Sequence, residues 1–175
     1  MNILKIKESQ IQTAISRAQD NFNNGLNCAE ASYEAYIFSG MIDMPGETVA
    51  LATGFGGGAG MTGNQCGILT GCMMALGAHH GRRDPFSLDE EVRKTSLHQV
   101  NMRAFNGLCN FFIDSFGSAL CRNICEKNGG YLAPERKKAC TDMIPEMIKK
   151  TAEYMNMSED EVKDLPYFDN MAGYK

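Results

Sequence analysis

The sequence has no tryptophan, and its five prolines are too few and too scattered for a proline-rich linker. No apolar run reaches the roughly 18 residues that cross a bilayer. The longest, residues 66–78, is shorter and carries three glycines. The opening MNILKIKESQIQ has neither the apolar core nor the small-residue cleavage site of an export signal, so a cytoplasmic location is expected. Basic charge is also short: 17 Lys and Arg stand against 21 Asp and Glu, a net −4 with a pI of about 5.4. The Arg-Lys-Lys run at 136–138 reads as a solvated patch, and neither nucleic acid nor membrane is expected as a partner. Alternating strand patterns and internal repeats are absent. So is any Cys-x-x-Cys pair, which excludes the thioredoxin-type motif and the usual zinc ribbons.

What is present is a globular balance, 43% hydrophobic and 22% charged, of a size suited to one domain over residues 1–175. Apolar residues recur at helical spacing, so the expected fold is all-α, a single compact domain of six to seven helices. The first carries Ile11, Ala14, Ile15, Ala18 and Phe22 and stops at Gly25. The second runs over 28–39 behind an Asn27 cap, with Glu30 closing a capping box. A short third starts at Pro45. Residues 54–63, GFGGGAGMTG, have glycine at six of ten positions and must interrupt it. A fourth helix covers about 66–79, with Gly67, Gly71 and Ala75 making one face nearly bare. Ser87 and Glu90 suggest a capping box for a fifth helix reaching Gly117. A sixth spans 118–127, and a seventh runs from Pro134 to about Met155 with Pro145 kinking or dividing it. Ser158 caps a last turn, and residues 158–175 close the chain as a turn and a loosely held tail.

Seven cysteines are the unusual feature: Cys28, Cys66, Cys72, Cys109, Cys121, Cys125 and Cys140. An odd number in a reducing compartment argues against a closed disulfide framework. Cys28 and Cys66 fall at helix N-termini, where amides and the helix dipole favour the reactive thiolate. Cys121 and Cys125 share a helix face, and a hairpin would bring one of them to Cys140. Cys72 and Cys109 sit among apolar neighbours and read as core. Three readings stay open on spacing alone: a metal or cluster site, dithiol chemistry, or packing. Other motifs are weaker. Residues 58–63 match G-x-G-x-x-G but follow no strand, against a dinucleotide site. His79 and His80 point about 100° apart and suit no shared ion. Glu30 and Glu34 read as a cap and a solvated face.

NCAEA around Cys28, TGFGGGAGMTGNQCGILTGCMMALG around Cys66, GSALCRNIC around Cys121 and the later Cys140 together resemble the redox-active proteins named for a C–GCAxxG–C–C cysteine pattern. The likeness covers about residues 27–151, and Gln65-Cys66-Gly67 departs from the Gly-Cys-Ala of the name. It implies a small helical redox protein in which Cys28, Cys66, Cys121 and Cys140 ligate an iron–sulfur cluster, expected as [2Fe–2S] and lost on aerobic handling. The backbone N–H groups of residues 56–60, Gly57 and Gly58 among them, would hydrogen-bond its sulfides. Such a protein would transfer electrons or sense redox state with a partner protein, without an identifiable substrate. One alternative is a metal-free thiol–disulfide protein in which Cys66 attacks and Cys28 resolves. Another is a non-enzymatic helical module with packing cysteines. A homodimer is compatible with each.

Overall fold

A computed structural model describes residues 5–98 and 102–175. Among them are eight α-helices: α1 (Glu8–Asn23), α2 (Cys28–Phe38), α3 (Gly67–His80), α4 (Glu90–Ser96), α5 (Met102–Phe116), α6 (Cys121–Lys127), α7 (Pro134–Met155) and α8 (Glu159–Lys163). Two 3-10 segments, Gly46–Phe55 and Pro85–Ser87, interrupt them. The β pairing among the described residues is a single isolated antiparallel bridge between Gln65 and Leu120. The fold is therefore one all-α domain, but with more helices than the six or seven expected. The glycine-rich run follows a 3-10 segment instead of a third α-helix, because Gly46, Thr48, Val49, Thr53 and Gly54 all weaken α-helix there.

Local chemistry sets most boundaries. Asn27 Oδ1 accepts from the amides of Ala29 and Glu30 at 2.9 and 3.0 Å, and the Glu30 carboxylate accepts from the Asn27 amide at 3.0 Å. This reciprocal box fixes the start of α2 and hence the place of Cys28. Ser158 and Glu161 repeat the device at α8. The box expected between Ser87 and Glu90 does not form. The amide and hydroxyl of Ser87 both donate to Asp84, and α4 begins after Asp89. The single long helix expected there is described as α4 and α5, with residues 99–101 outside the described residues.

Helices α1, α2, α3 and α7 pack around a core that includes Tyr36, Leu69, Leu76, Ile144 and Met147, with α5 added against α3 and α7. The bare face of α3 meets α2 closely. A Cβ on Gly71 would lie 2.7 Å from Ala29 O and 2.9 Å from Ser32 Cβ. Helix α7 continues undivided through Pro145. Proline supplies no N–H for the Thr141 carbonyl four residues back, and Gln19 Nε2 of α1 donates to it instead at 3.3 Å. Within the C-terminal segment, residues 168 and 169 are tied to α5, and residues 171–175 are exposed. Asn106 Oδ1 accepts from the Phe168 amide at 2.8 Å, and Asn106 and Asn110 both donate to Asp169 O.

Candidate functional site

The glycine-rich run builds the site. Gly57, Gly58, Ala59, Gly60 and Met61 are consecutive and all left-handed, with φ between 60° and 76°. Glycine adopts this without cost, whereas an L side chain pays roughly 1–2 kcal/mol, so the strain falls on Ala59 and Met61. The turn is closed by Gly60 N donating to Gly54 O, Gly63 N to Gly57 O and Asn64 N to Gly58 O, at 2.8 to 3.0 Å. It then clasps a segment distant in sequence. Cys121 N donates to Asn64 O, Arg122 N to Gly63 O and Cys66 N to Ala119 O, at 2.7, 3.0 and 2.8 Å. The first two satisfy amides that the first turn of α6 leaves unpaired, and the three together hold Cys66 and Cys121 on one wall. Gly58 permits the approach, since a Cβ there would stand 2.8 Å from Cys121 Cβ.

Four sulfurs from far-apart stretches line one cavity of about 340 Å³: Cys28, Cys66, Cys121 and Cys140. Cys28 opens α2 and is half-buried, and Cys66 immediately precedes α3 and is only 3% exposed. Cys28 Sγ packs directly on Gly67, where an added Cβ would lie 2.3 Å from it. Cys125, also buried, faces Cys121 with 3.8 Å between sulfurs. Gly57 lines the cavity as well, together with Tyr131, Arg136 and Lys137. The Arg136 guanidinium lies over the Tyr131 ring, 4.6 Å from its centre, and its Nε donates to Tyr131 O at 2.8 Å.

Burial dominates the electrostatics. It pushes the Cys66 thiol well above the usual range, and the neighbouring Cys28 sulfur adds to this. The amides of Ile68 and Leu69 at the start of α3 pull the other way and lose. Cys121 is pushed up to about 12 by burial and then by Cys125. Cys140 is raised by burial, against a hydrogen bond and the positive charge of Arg136. These three are thiols at neutral pH. The expectation of a thiolate at Cys66 is thereby corrected: the helix terminus is present, but desolvation outweighs it.

The iron–sulfur reading is corrected too. Among the described residues no group of three or more His, Cys, Asp or Glu side chains is disposed to hold a metal ion. Cys28, Cys66, Cys121 and Cys140 are spread over the walls of the cavity and do not converge on a common ion. A [2Fe–2S] or other metal centre on these four, electron transfer through it, and a sulfide-binding role for Gly57 and Gly58 all fall together. The Gly57 and Gly58 carbonyls instead close the left-handed turn.

Cys72 is fully buried and accepts from Tyr36 Oη at 3.3 Å, while Cys109 is half-buried against the core, so both pack. His80 Nε2 lies 2.9 Å from Tyr154 O, hydrogen-bonding to backbone. Sequence reasoning missed Tyr131, Arg136 and Lys137. The available signal was spacing: Arg136 precedes Cys140 by four residues and so shares its face of α7.

A family model described as "Putative redox-active protein (C_GCAxxG_C_C)" matches residues 26–154. No curated protein and no solved structure matches the chain. Among the described residues no helix is long and apolar enough to cross a membrane.

Proposed function

The chain belongs to this C_GCAxxG_C_C redox-active family, and we propose that it works by thiol–disulfide exchange, with Cys28 and Cys66 as a dithiol that closes to a disulfide and reopens. The observation that carries this is the seat of Cys28 Sγ on Gly67, the residue next to Cys66. Exposure sets the roles in the reverse of the sequence-based order. Cys28 is half-buried and meets the reactant, whereas Cys66, buried and protonated, resolves the mixed disulfide. We place this chemistry in a reducing compartment, with a partner redox protein returning the electrons; seven free cysteines, an odd number, support that setting.

A second pair is favoured by a distance. Cys121 and Cys125, with sulfurs 3.8 Å apart on one helix face, need to close by less than about 2 Å to bond. Oxidation with diamide, alkylation of residual thiols and peptide mass mapping separate the two. The expected product is a Cys28–Cys66 link with loss of two hydrogens, reversed by dithiothreitol and absent in Cys28→Ser and in Cys66→Ser. A bridge at Cys121–Cys125 alone would transfer the role to that pair. Seven alkylatable thiols after oxidation would end the dithiol reading.

A further inference from the structure

The cavity carries a charge bias that the dithiol alone does not need. Arg136 and Lys137 line it, and no Asp or Glu does so among the described residues. Neither cation has a carboxylate partner among the described residues, although the next residue along, Lys138, pairs with Asp142. This arrangement runs against the chain as a whole, whose net charge is −4. Arg136 is also held in place, by the Tyr131 ring and carbonyl. Its guanidinium therefore adds a positioned positive charge to the cavity that Cys28 also lines. A volume of about 340 Å³ sits at the small end of the range for ligand pockets.

From these observations we infer that the cavity selects small carboxylated reactants for Cys28. Resting on the dithiol reading, the natural member of that class is the disulfide of a short thiol acid. Its reaction balances without a further participant. The Cys28 thiolate attacks one sulfur of R–S–S–R, forming Cys28–S–R as the R–S–S–R bond breaks and one RS⁻ departs. Cys66 then displaces the second RS⁻ and the Cys28–Cys66 bond forms. The two thiol protons end on the two departing thiols, and two electrons pass from protein to disulfide.

The test reads charge preference without requiring a bridge. Iodoacetate and iodoacetamide both alkylate a thiolate with loss of iodide and differ in one negative charge. Their rates at Cys28 are followed by peptide mass spectrometry in the folded protein and in the urea-unfolded chain. The iodoacetate-to-iodoacetamide ratio is expected to be about tenfold higher in the folded protein. It should fall toward the unfolded ratio in about 0.5 M sodium chloride. The same loss is expected in Lys137→Gln and, further, in the Arg136→Gln/Lys137→Gln double variant. A folded ratio equal to or below the unfolded one would overturn the inference. Dithiodiglycolate, bis(2-hydroxyethyl) disulfide and cystamine then supply anionic, neutral and cationic oxidants, expected to react in that order; cystamine reacting as fast as the anion also overturns it. An iodoacetate preference without any Cys28–Cys66 bridge would uphold the inference and sink the dithiol reading. Bridging by all three disulfides at one rate would do the reverse.

Discussion

Replacing Gly67 by alanine tests how the site is assembled. The new Cβ would lie 2.3 Å from Cys28 Sγ, 3.0 Å from Phe55 O and 3.1 Å from Ala29 N. The backbone contacts are tight by a few tenths of an ångström, but the sulfur contact is about 1 Å inside ordinary van der Waals distance. The sulfur is also the movable group, since rotation about the Cα–Cβ bond of Cys28 swings it away. The fold therefore loses little and the site loses much. Overpacking typically costs about 1–3 kcal/mol, and the alanine regains up to about 1 kcal/mol of helix propensity, so a net loss of about 1–2 kcal/mol is expected. In a domain of this size that lowers Tm by about 2–8 °C. Closure of the Cys28–Cys66 bridge should slow by at least about tenfold, because the resolving geometry is lost. Gly77→Ala is the control on the same helix: its nearest neighbour would be Phe105 Cζ at 3.9 Å, and it should be neutral or stabilising by up to about 1 kcal/mol. Thermal unfolding by circular dichroism and stopped oxidation with thiol counting give both numbers. Closure in Gly67→Ala at the wild-type rate would refute the proposal that Gly67 positions Cys28.

Ala59→Gly relieves a left-handed residue, with φ at 60°, and should stabilise the protein by up to about 1 kcal/mol in urea melts; a destabilised variant would show that the turn is not strained there. Stability should also fall at alkaline pH. The folded pKa of Cys66 lies above its unfolded value and that of Cys121 reaches about 12, so unfolding releases protons above the unfolded thiol pKa. The contribution is complete below about pH 8 and is lost as pH rises through 9 toward 12. Urea midpoints unchanged between pH 8 and pH 10.5 would contradict that assignment. Finally, Gln19→Ala removes the donor to Thr141 O and should cost about 1 kcal/mol, but less in a Pro145→Ala background, where a backbone N–H returns to that carbonyl. Equal costs in both backgrounds would detach Gln19 from the proline.

Helices with caps and clean spacing were legible. The Asn27–Glu30 box marks α2 to the residue, and the small-residue face of α3 does bring α2 close, as Gly67 and Gly71 suggested. The glycine run was readable as a break but not as a left-handed turn, because Ala59 and Met61 continue a conformation that their local preference opposes. Long-range bonds between residues 63–66 and 119–122 bring Cys66 to Cys121, and such bonds leave no periodic trace in sequence. Lys137 is exposed, as the charge run suggested, but Arg136 is half-buried, because composition sees charge and not the cavity beside it. The thiolate expected at Cys66 failed on magnitude: a helix terminus contributes roughly 0.3–1 kcal/mol, whereas full burial shifts a pKa by up to several units. The cluster expectation failed on geometry, since lining one cavity is a weaker condition than converging on one ion.

The glycine turn and the chemistry are therefore two consequences of one packing arrangement. The bonds that clasp α6 and seat Cys66 also close water away from Cys66 and Cys121, and dry surroundings hold their protons on. A buried thiol reacts slowly as a nucleophile toward solution species, but it resolves efficiently once a mixed disulfide forms beside it, where proximity replaces ionisation as the main source of rate. That division of labour needs one sulfur at the opening, and Cys28 is the half-buried member of the four. It also favours a reactant already inside the cavity, which two cations without carboxylate partners among the described residues would retain if it carried negative charge. Under the proposed exchange, exposing Cys66 would speed its first attack at the expense of selectivity, which makes burial of the second sulfur a working part of that mechanism.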